Sequence, residues 1–328
     1  MKILKPHYFD HFHCLAGACP DSCCQEWEVQ IDDATAQRYL ALDGDLGDAL
    51  RRHLYSDEGE YYLRITDRRC PMWRQDGLCR IQAELGESAL SHVCREFPRL
   101  RHDYGDFWEL GLEMSCPEAA RLILEESDTP FAIEDAPGGE TPEYDTEVMD
   151  LLLRTRQKAL EILAAHPLPQ ALTLLLLYGY QAQNELDGGE EVPWDPAAEL
   201  ALAQKFAAKE TIPLTNFYAG LEILTPRWAE RLHSPAPSDW CEKMRAIARY
   251  GIQRYWLQSI SDYDLVCRVK LVVASCLLIH HLGGDILETA QLYSKEIENS
   301  AENVETILDG AYTHPALTDA NLLGLLLR

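Results

Sequence analysis

The stretch L-P-Q-A-L-T-L-L-L-L-Y-G-Y-Q-A-Q-N-E, residues 168–185, is apolar on almost every side of a helical wheel. A surface helix keeps a polar face, so a helix without one belongs at the centre of a helical packing. Just before it, 145–166 places Val148, Leu152, Leu153, Ala159, Leu160 and Leu163 at helical spacings. After it, helices are expected at about 195–209, 213–232, 239–259, 262–282, 285–309 and 316–327. The breakers Pro213, Pro235, Pro237, Gly283-Gly284 and Pro315 separate several of them. Residues 145–328 therefore read as an all-α domain. The run 265–282 comes nearest to a membrane span, but it contains Arg268 and Lys270 and reads as a buried core helix.

The first 126 residues read differently. The segment 25–31 (Q-E-W-E-V-Q-I) alternates like a short strand, as does 107–114. A helix is expected after Asp32-Asp33, running to about Leu42, and another near Pro117 that carries Ala119, Ala120, Leu122 and Ile123. Loops rich in Gly, Pro, Asp and Arg lie between. The acidic run 127–144, broken by Pro and Gly, reads as a linker. The fold class is mainly α: a small irregular α+β cysteine-rich metal module, then the all-helical domain.

Eight of the eleven cysteines fall in that first module: Cys14, Cys19, Cys23, Cys24, Cys70, Cys79, Cys94 and Cys116. Thiolates are soft ligands that suit zinc or an iron–sulfur cluster. Cys19, Cys70 and Cys116 are each followed by proline, which also occurs after cluster-ligating cysteines. Adjacent side chains of an extended segment point to opposite faces, so Cys23 and Cys24 imply two sites or one core residue. The spacings C-x3-C-x2-C and paired C-x2-C are absent, and spacing leaves zinc and iron–sulfur both open. His11 and His13 flank Cys14 as alternative ligands, and more often such histidines are surface residues. His280-His281 closes an apolar helix, where an imidazole suits the helix C-terminus better than a metal.

The chain has 328 residues, 47% hydrophobic and 25% charged, with a formal net charge of −25. So acidic a surface repels phosphate backbones and disfavours nucleic-acid binding, while favouring a basic partner or simply aiding solubility. Residues 1–7 hold no apolar stretch of signal-peptide length and no run reaches membrane-spanning length, so a cytoplasmic, non-membrane protein is expected. There, eleven cysteines do not form a disulfide framework. No G-x-G-x-x-G follows an apolar strand, and no P-loop, G-x-S-x-G or H-E-x-x-H occurs. The nearest glycine cluster, Asp43-Gly44-Asp45-Leu46-Gly47, reads as a helix end and loop.

Four strings then carry a resemblance: F-H-C-L-A-G-A-C-P-D-S-C-C-Q-E-W (12–27), C-P-M-W-R-Q-D-G-L-C-R-I (70–81), G-E-S-A-L-S-H-V-C-R-E-F-P-R (86–99) and L-E-M-S-C-P-E-A-A-R-L-I-L (112–124). In order and spacing they resemble the flagellin lysine-N-methylase family over about residues 7–124. The first seven cysteines also resemble a broader group of zinc- or iron-chelating proteins. The methylase resemblance implies transfer of a methyl group from S-adenosylmethionine to flagellin lysines before export. It also implies a four-iron, four-sulfur cluster (4Fe-4S) in place of zinc.

Methyl transfer needs a neutral lysine amine aligned with the sulfonium, and aromatic faces can hold the approaching cation. The helical half offers Tyr178, Tyr180, Tyr250, Tyr255, Trp256 and Tyr263, with Asp262 and Asp264 as proton acceptors; each reads equally as core or rim. The rival readings are a non-enzymatic zinc- or iron-binding electron-transfer module, and a zinc-stapled docking platform.

Overall fold

The computed structural model describes residues 1–25, 29–125 and 130–328. Trp27 and the middle of the expected 25–31 strand lie outside the described residues, as does the start of the 127–144 segment.

Two small sheets and a helical body make up the fold. In the first sheet β1 (Lys2–Lys5) is an interior strand. It pairs in parallel with β6 (Phe107–Leu112) and antiparallel with β7 (Ala132–Asp135), while β5 (Arg99–Asp103) pairs on the far side of β6. The segment read as a linker thus contributes a strand, because its A-I-E-D finds the open edge of β1. The second sheet, in the order β2 (Val29–Ile31), β4 (Glu60–Leu63), β3 (Leu54–Asp57), is antiparallel.

The helices around the second sheet are α1 (Asp33–Leu40), α2 (Gly44–His53), α3 (Arg80–Leu85) and α4 (His92–Glu96). Asp32 caps α1 by accepting from Thr35 N at 3.0 Å, and its other oxygen accepts from His92 N at 2.9 Å, which pins α4 beside α1. The Asp43-Gly44 pair is not only a helix end: it opens α2. This unit has its own hydrophobic core, built from residues such as Ile31, Tyr39, Leu50, Leu63, Met72 and Ile81.

The larger core joins the first sheet to the helices. Tyr8, Phe12, Phe107, Leu112 and Met114 share it with the helical body, so the first sheet packs with the second half of the chain. The body comprises α5 (Pro117–Glu125), α6 (Thr146–Ala165), α7 (Leu168–Leu186), α8 (Pro196–Phe206), α9 (Leu214–Tyr218), α10 (Pro226–His233), α11 (Glu242–Tyr255), α12 (Val266–Leu282), α13 (Ile286–Tyr293), α14 (Ala301–Thr313) and α15 (Asp319–Leu326). The expected 213–232 helix is two. Pro226 has no amide to continue a helix, and Thr225 caps a fresh one by accepting from Trp228 N at 3.1 Å. The expected 285–309 helix is interrupted by a π-helical turn, Ser294–Glu298, and restarts where the Ser300 hydroxyl caps α14.

The α7 and α12 helices are buried nearly all round, as their sequences demand. They meet closely because position 179 is glycine: a Cβ there would stand 3.0 Å from both methyls of Val269. No helix among the described residues is long and apolar enough to cross a membrane.

Candidate functional site

Three of the cysteine loops lie against one another, and Cys24, Cys70 and Cys79 pack in or against the core of the second sheet. Cys70 N donates to Cys24 O at 2.8 Å, Gln25 bridges to Arg69, and Trp73 bridges to Cys79. All eleven cysteines are free thiols. Their mutual influence marks two neighbourhoods. In one, Cys23 hydrogen-bonds Cys24, Cys24 hydrogen-bonds Cys70, and Cys79 and Cys94 feel the Cys23 charge. In the other, Cys116 feels Cys19 and Cys14. Cys19 also feels Cys23, which links the two groups. His11 and His13 are exposed and reach none of these thiols by a described hydrogen bond.

The donor chemistry fits a soft metal. Burial pushes the Cys94 and Cys116 thiols up to about 11, and a hydrogen bond to Cys24 followed by burial raises Cys23 further. Thiols so placed remain protonated unless a cation compensates them. Backbone amides already point at the sulfurs: Ala16 N donates to Cys14 Sγ at 3.4 Å, and the first-turn amides of α3 and α5 face Cys79 and Cys116. Such amides stabilise thiolates and tune iron–sulfur centres. Among the described residues, no three His, Cys, Asp or Glu side chains already converge at ligand distance on one point.

The cysteine loops meet the helical body at the π-turn. Lys295 Nζ donates to Asp21 Oδ1 and Oδ2 at 3.0 and 2.9 Å, and Asp21 stands inside C-P-D-S-C-C. Gln291 adds donors to Asp21 Oδ2 at 2.9 Å and to Ser115 O, beside Cys116, at 2.7 Å. The same turn aims Glu298 inward, where Tyr250 and Tyr255 hydroxyls each donate to it at 2.8 Å and Arg254 Nη1 lies at 3.5 Å. Ser294 Oγ also donates to Glu298. Burial holds both tyrosines far above their ordinary range, so they act as neutral donors. Burial likewise raises Glu113 beside them. π-turns recur at functional sites because they turn buried side chains toward a common point.

Of the aromatic candidates, only Tyr250 and Tyr255 gather here. The cation over their rings is the protein's own Arg254, at 5.7 and 5.5 Å from the centroids. Asp262 lies elsewhere, taking both Arg268 Nη atoms at 2.9 and 2.8 Å. Asp264 accepts from Tyr312 at 2.6 Å. Tyr178 and Trp256 stack in the core, Tyr180 donates to Asp319 at 2.7 Å, and Tyr263 is exposed. His280 lies flat on Trp240, ring centroids 3.9 Å apart. The sequence reading passed over Asp21, Lys295, Arg254, Glu298 and Glu113. The Y-x3-R-Y pattern of 250–255, one helical turn with two aromatics around a cation, was the available signal.

Across 139 residues the chain is 35% identical to the flagellar biosynthetic protein FliU of Salmonella muenchen, covering 39% of this chain and 80% of that protein. Over 135 residues it is also 35% identical to proteins named lysine-N-methylase from Salmonella choleraesuis (strain SC-B67) and Salmonella typhimurium (strain LT2). The chain belongs to the flagellin lysine-N-methylase family. The match spans 39% of this chain but only 34% of each lysine-N-methylase, about a third of their length. No family model matches the chain, and no solved structure matches it.

Proposed function

We propose that this chain is a protein-lysine N-methyltransferase acting on flagellin in the cytoplasm, with S-adenosylmethionine as methyl donor and four of the eight clustered cysteines as ligands of a 4Fe-4S cluster. The kinship with two proteins named lysine-N-methylase carries the reading. In the transfer, the lone pair of a neutral lysine amine forms the new N–C bond while the methyl C–S bond breaks. The electron pair leaves on sulfur, giving S-adenosylhomocysteine, and the surplus proton leaves the nitrogen.

The chain's own residues supply order and charge. Four of the set Cys14, Cys19, Cys23, Cys24, Cys70, Cys79, Cys94 and Cys116 would hold the metal centre, whose contribution when bound would be to cross-link the cysteine loops. Asp21 and Lys295 then fix those loops to the helical body. The acidic surface draws in a lysine-bearing protein.

Anaerobic purification, with iron, sulfide and zinc analysis and a methylation assay on flagellin, tests this. Matched iron and sulfide with transfer from S-adenosylmethionine is the expected result. Stoichiometric zinc, no cofactor binding and no methyl incorporation would leave a metal-stapled interaction protein instead.

A further inference from the structure

His102 and Glu109 face each other across the β5–β6 ladder as a registered pair. Both line a small cleft that is open toward solvent, shared with Tyr8, Phe131, Tyr250 and Arg254. Glu109 is 4% exposed. Its Oε1 accepts from Arg156 Nη1 at 2.7 Å. Its Oε2 and the His102 Nε2 are shielded from solvent and have no hydrogen-bond partner among the described residues. A buried carboxylate oxygen and a buried imidazole nitrogen left without partners in one cleft are costly unless something that enters it supplies their hydrogen bonds.

We propose that this cleft binds the side-chain ammonium of the lysine to be methylated, with Glu109 Oε2 and His102 Nε2 as its two acceptors. The choice of a lysine rests on the methyltransferase reading; the choice of a primary ammonium rests on the cleft. An ammonium carries three N–H donors, enough for both acceptors. A sulfonium centre has none, so the reacting end of the methyl donor does not satisfy them. The rings of Tyr8, Phe131 and Tyr250 are apolar walls for the lysine stem and π-faces for its charge.

Proton removal follows from the same pair. Burial, the largest influence on His102, keeps its imidazole neutral, with Arg254 and Arg156 acting in the same direction and Glu109 against them. The neutral Nε2 takes one ammonium proton: the N–H bond breaks, Nε2–H forms, and the amine keeps the lone pair that transfer needs. The imidazolium then faces Glu109, whose carboxylate stabilises it.

Gly111 provides a clean perturbation. It shares the Glu109 face of β6 and lines the cleft, and a Cβ there would meet only Leu100 Cβ, at 4.0 Å. Gly111→Val narrows the cleft while leaving the Glu109–Arg156 pair in place. The probes are Nα-acetyl-lysine methylamide and its norleucine counterpart, titrated into the full chain at millimolar concentration and followed by NMR. In parallel, flagellin methylation is measured for each variant.

The lysine probe should bind and the norleucine probe should not, with binding weakened at least tenfold in Gly111→Val and in Glu109→Gln. His102→Gln should keep probe binding within about threefold yet lower the methylation rate about 10²–10⁴-fold, the range of a lost general base. Equal binding of both probes, or unchanged binding by Gly111→Val, overturns the proposal and leaves an ordered water as the partner of the two acceptors. Normal methylation by Gly111→Val and Glu109→Gln overturns the cleft alone and leaves the methyltransferase standing. Selective lysine binding without any methylation by the wild type overturns the methyltransferase and leaves the cleft an ammonium site.

Discussion

Lys295 on the π-turn holds both carboxylate oxygens of Asp21, residues 274 positions apart in the chain. Lys295 is almost wholly buried and Asp21 about a quarter exposed, with side-chain exposures of 4% and 23%. A charge removed from such a pair strands its partner. Lys295→Met should destabilise the protein by about 3 kcal/mol, the lower end of the range for broken buried pairs because Asp21 keeps some solvent. Urea unfolding of Lys295→Met, Asp21→Asn and the double variant checks this. Strict additivity of the two single changes would mean the contact carries no coupling.

The cysteines should divide sharply by substitution. Cys276 is buried in α12 with no thiol neighbour, so Cys276→Ala should cost about 1 kcal/mol of packing and leave metal content unchanged. Cys24→Ser, at the hydrogen-bonded centre of the thiol cluster, should lower bound metal at least severalfold. Elemental analysis of both variants against wild type decides; equal metal in all three would place the ligands elsewhere.

His102 gives a pH signature independent of catalysis. Burial lowers its pKa below the ordinary 6.5, so the unfolded chain takes up this proton before the folded one does. The stabilising contribution is therefore present above about pH 6.5 and is lost as pH falls through the folded value. A His102→Gln variant should show a shallower loss of Tm between about pH 6.5 and 5 than the wild type, measured by thermal melts across that window. Parallel profiles would mean that His102 is as solvated as in the unfolded chain.

Helix packing offers a fourth kind of test. A Cβ at Gly251 in α11 would come within 2.9 and 3.1 Å of the two Val272 methyls in α12. Gly251→Ala should destabilise by about 1–3 kcal/mol through overpacking, and Val272→Ala in the same chain should restore much of that. Failure of the second change to rescue the first would place the strain in the α11 backbone.

The helical body was legible because its signals are local. Asp145, the apolar 168–186 surface and Gly283 at the end of α12 each follow from a few consecutive residues. Of the first sheet the 107–114 alternation was legible as β6, but β1 was not, since Lys2–Lys5 alternates only weakly and its partners lie more than 100 residues away. The cysteine cluster stood out as a composition, but its anchoring did not: Asp21, Lys295 and Glu298 look like surface charges until a π-turn buries them. The His102–Glu109 pair was equally hidden, because a strand register sets it and no sequence spacing marks it.

The place of β1 inside its sheet has a consequence for biosynthesis. Its two neighbours are β6 and β7, so once made, β1 must wait for roughly 100 further residues before its β6 edge can pair and roughly 130 before its β7 edge can. The 29–90 core is contiguous and all of its members emerge during that wait. Vectorial synthesis thus completes a unit able to collapse by itself, with Cys24, Cys70 and Cys79 in or against its core, before β6 and then Cys116 are made.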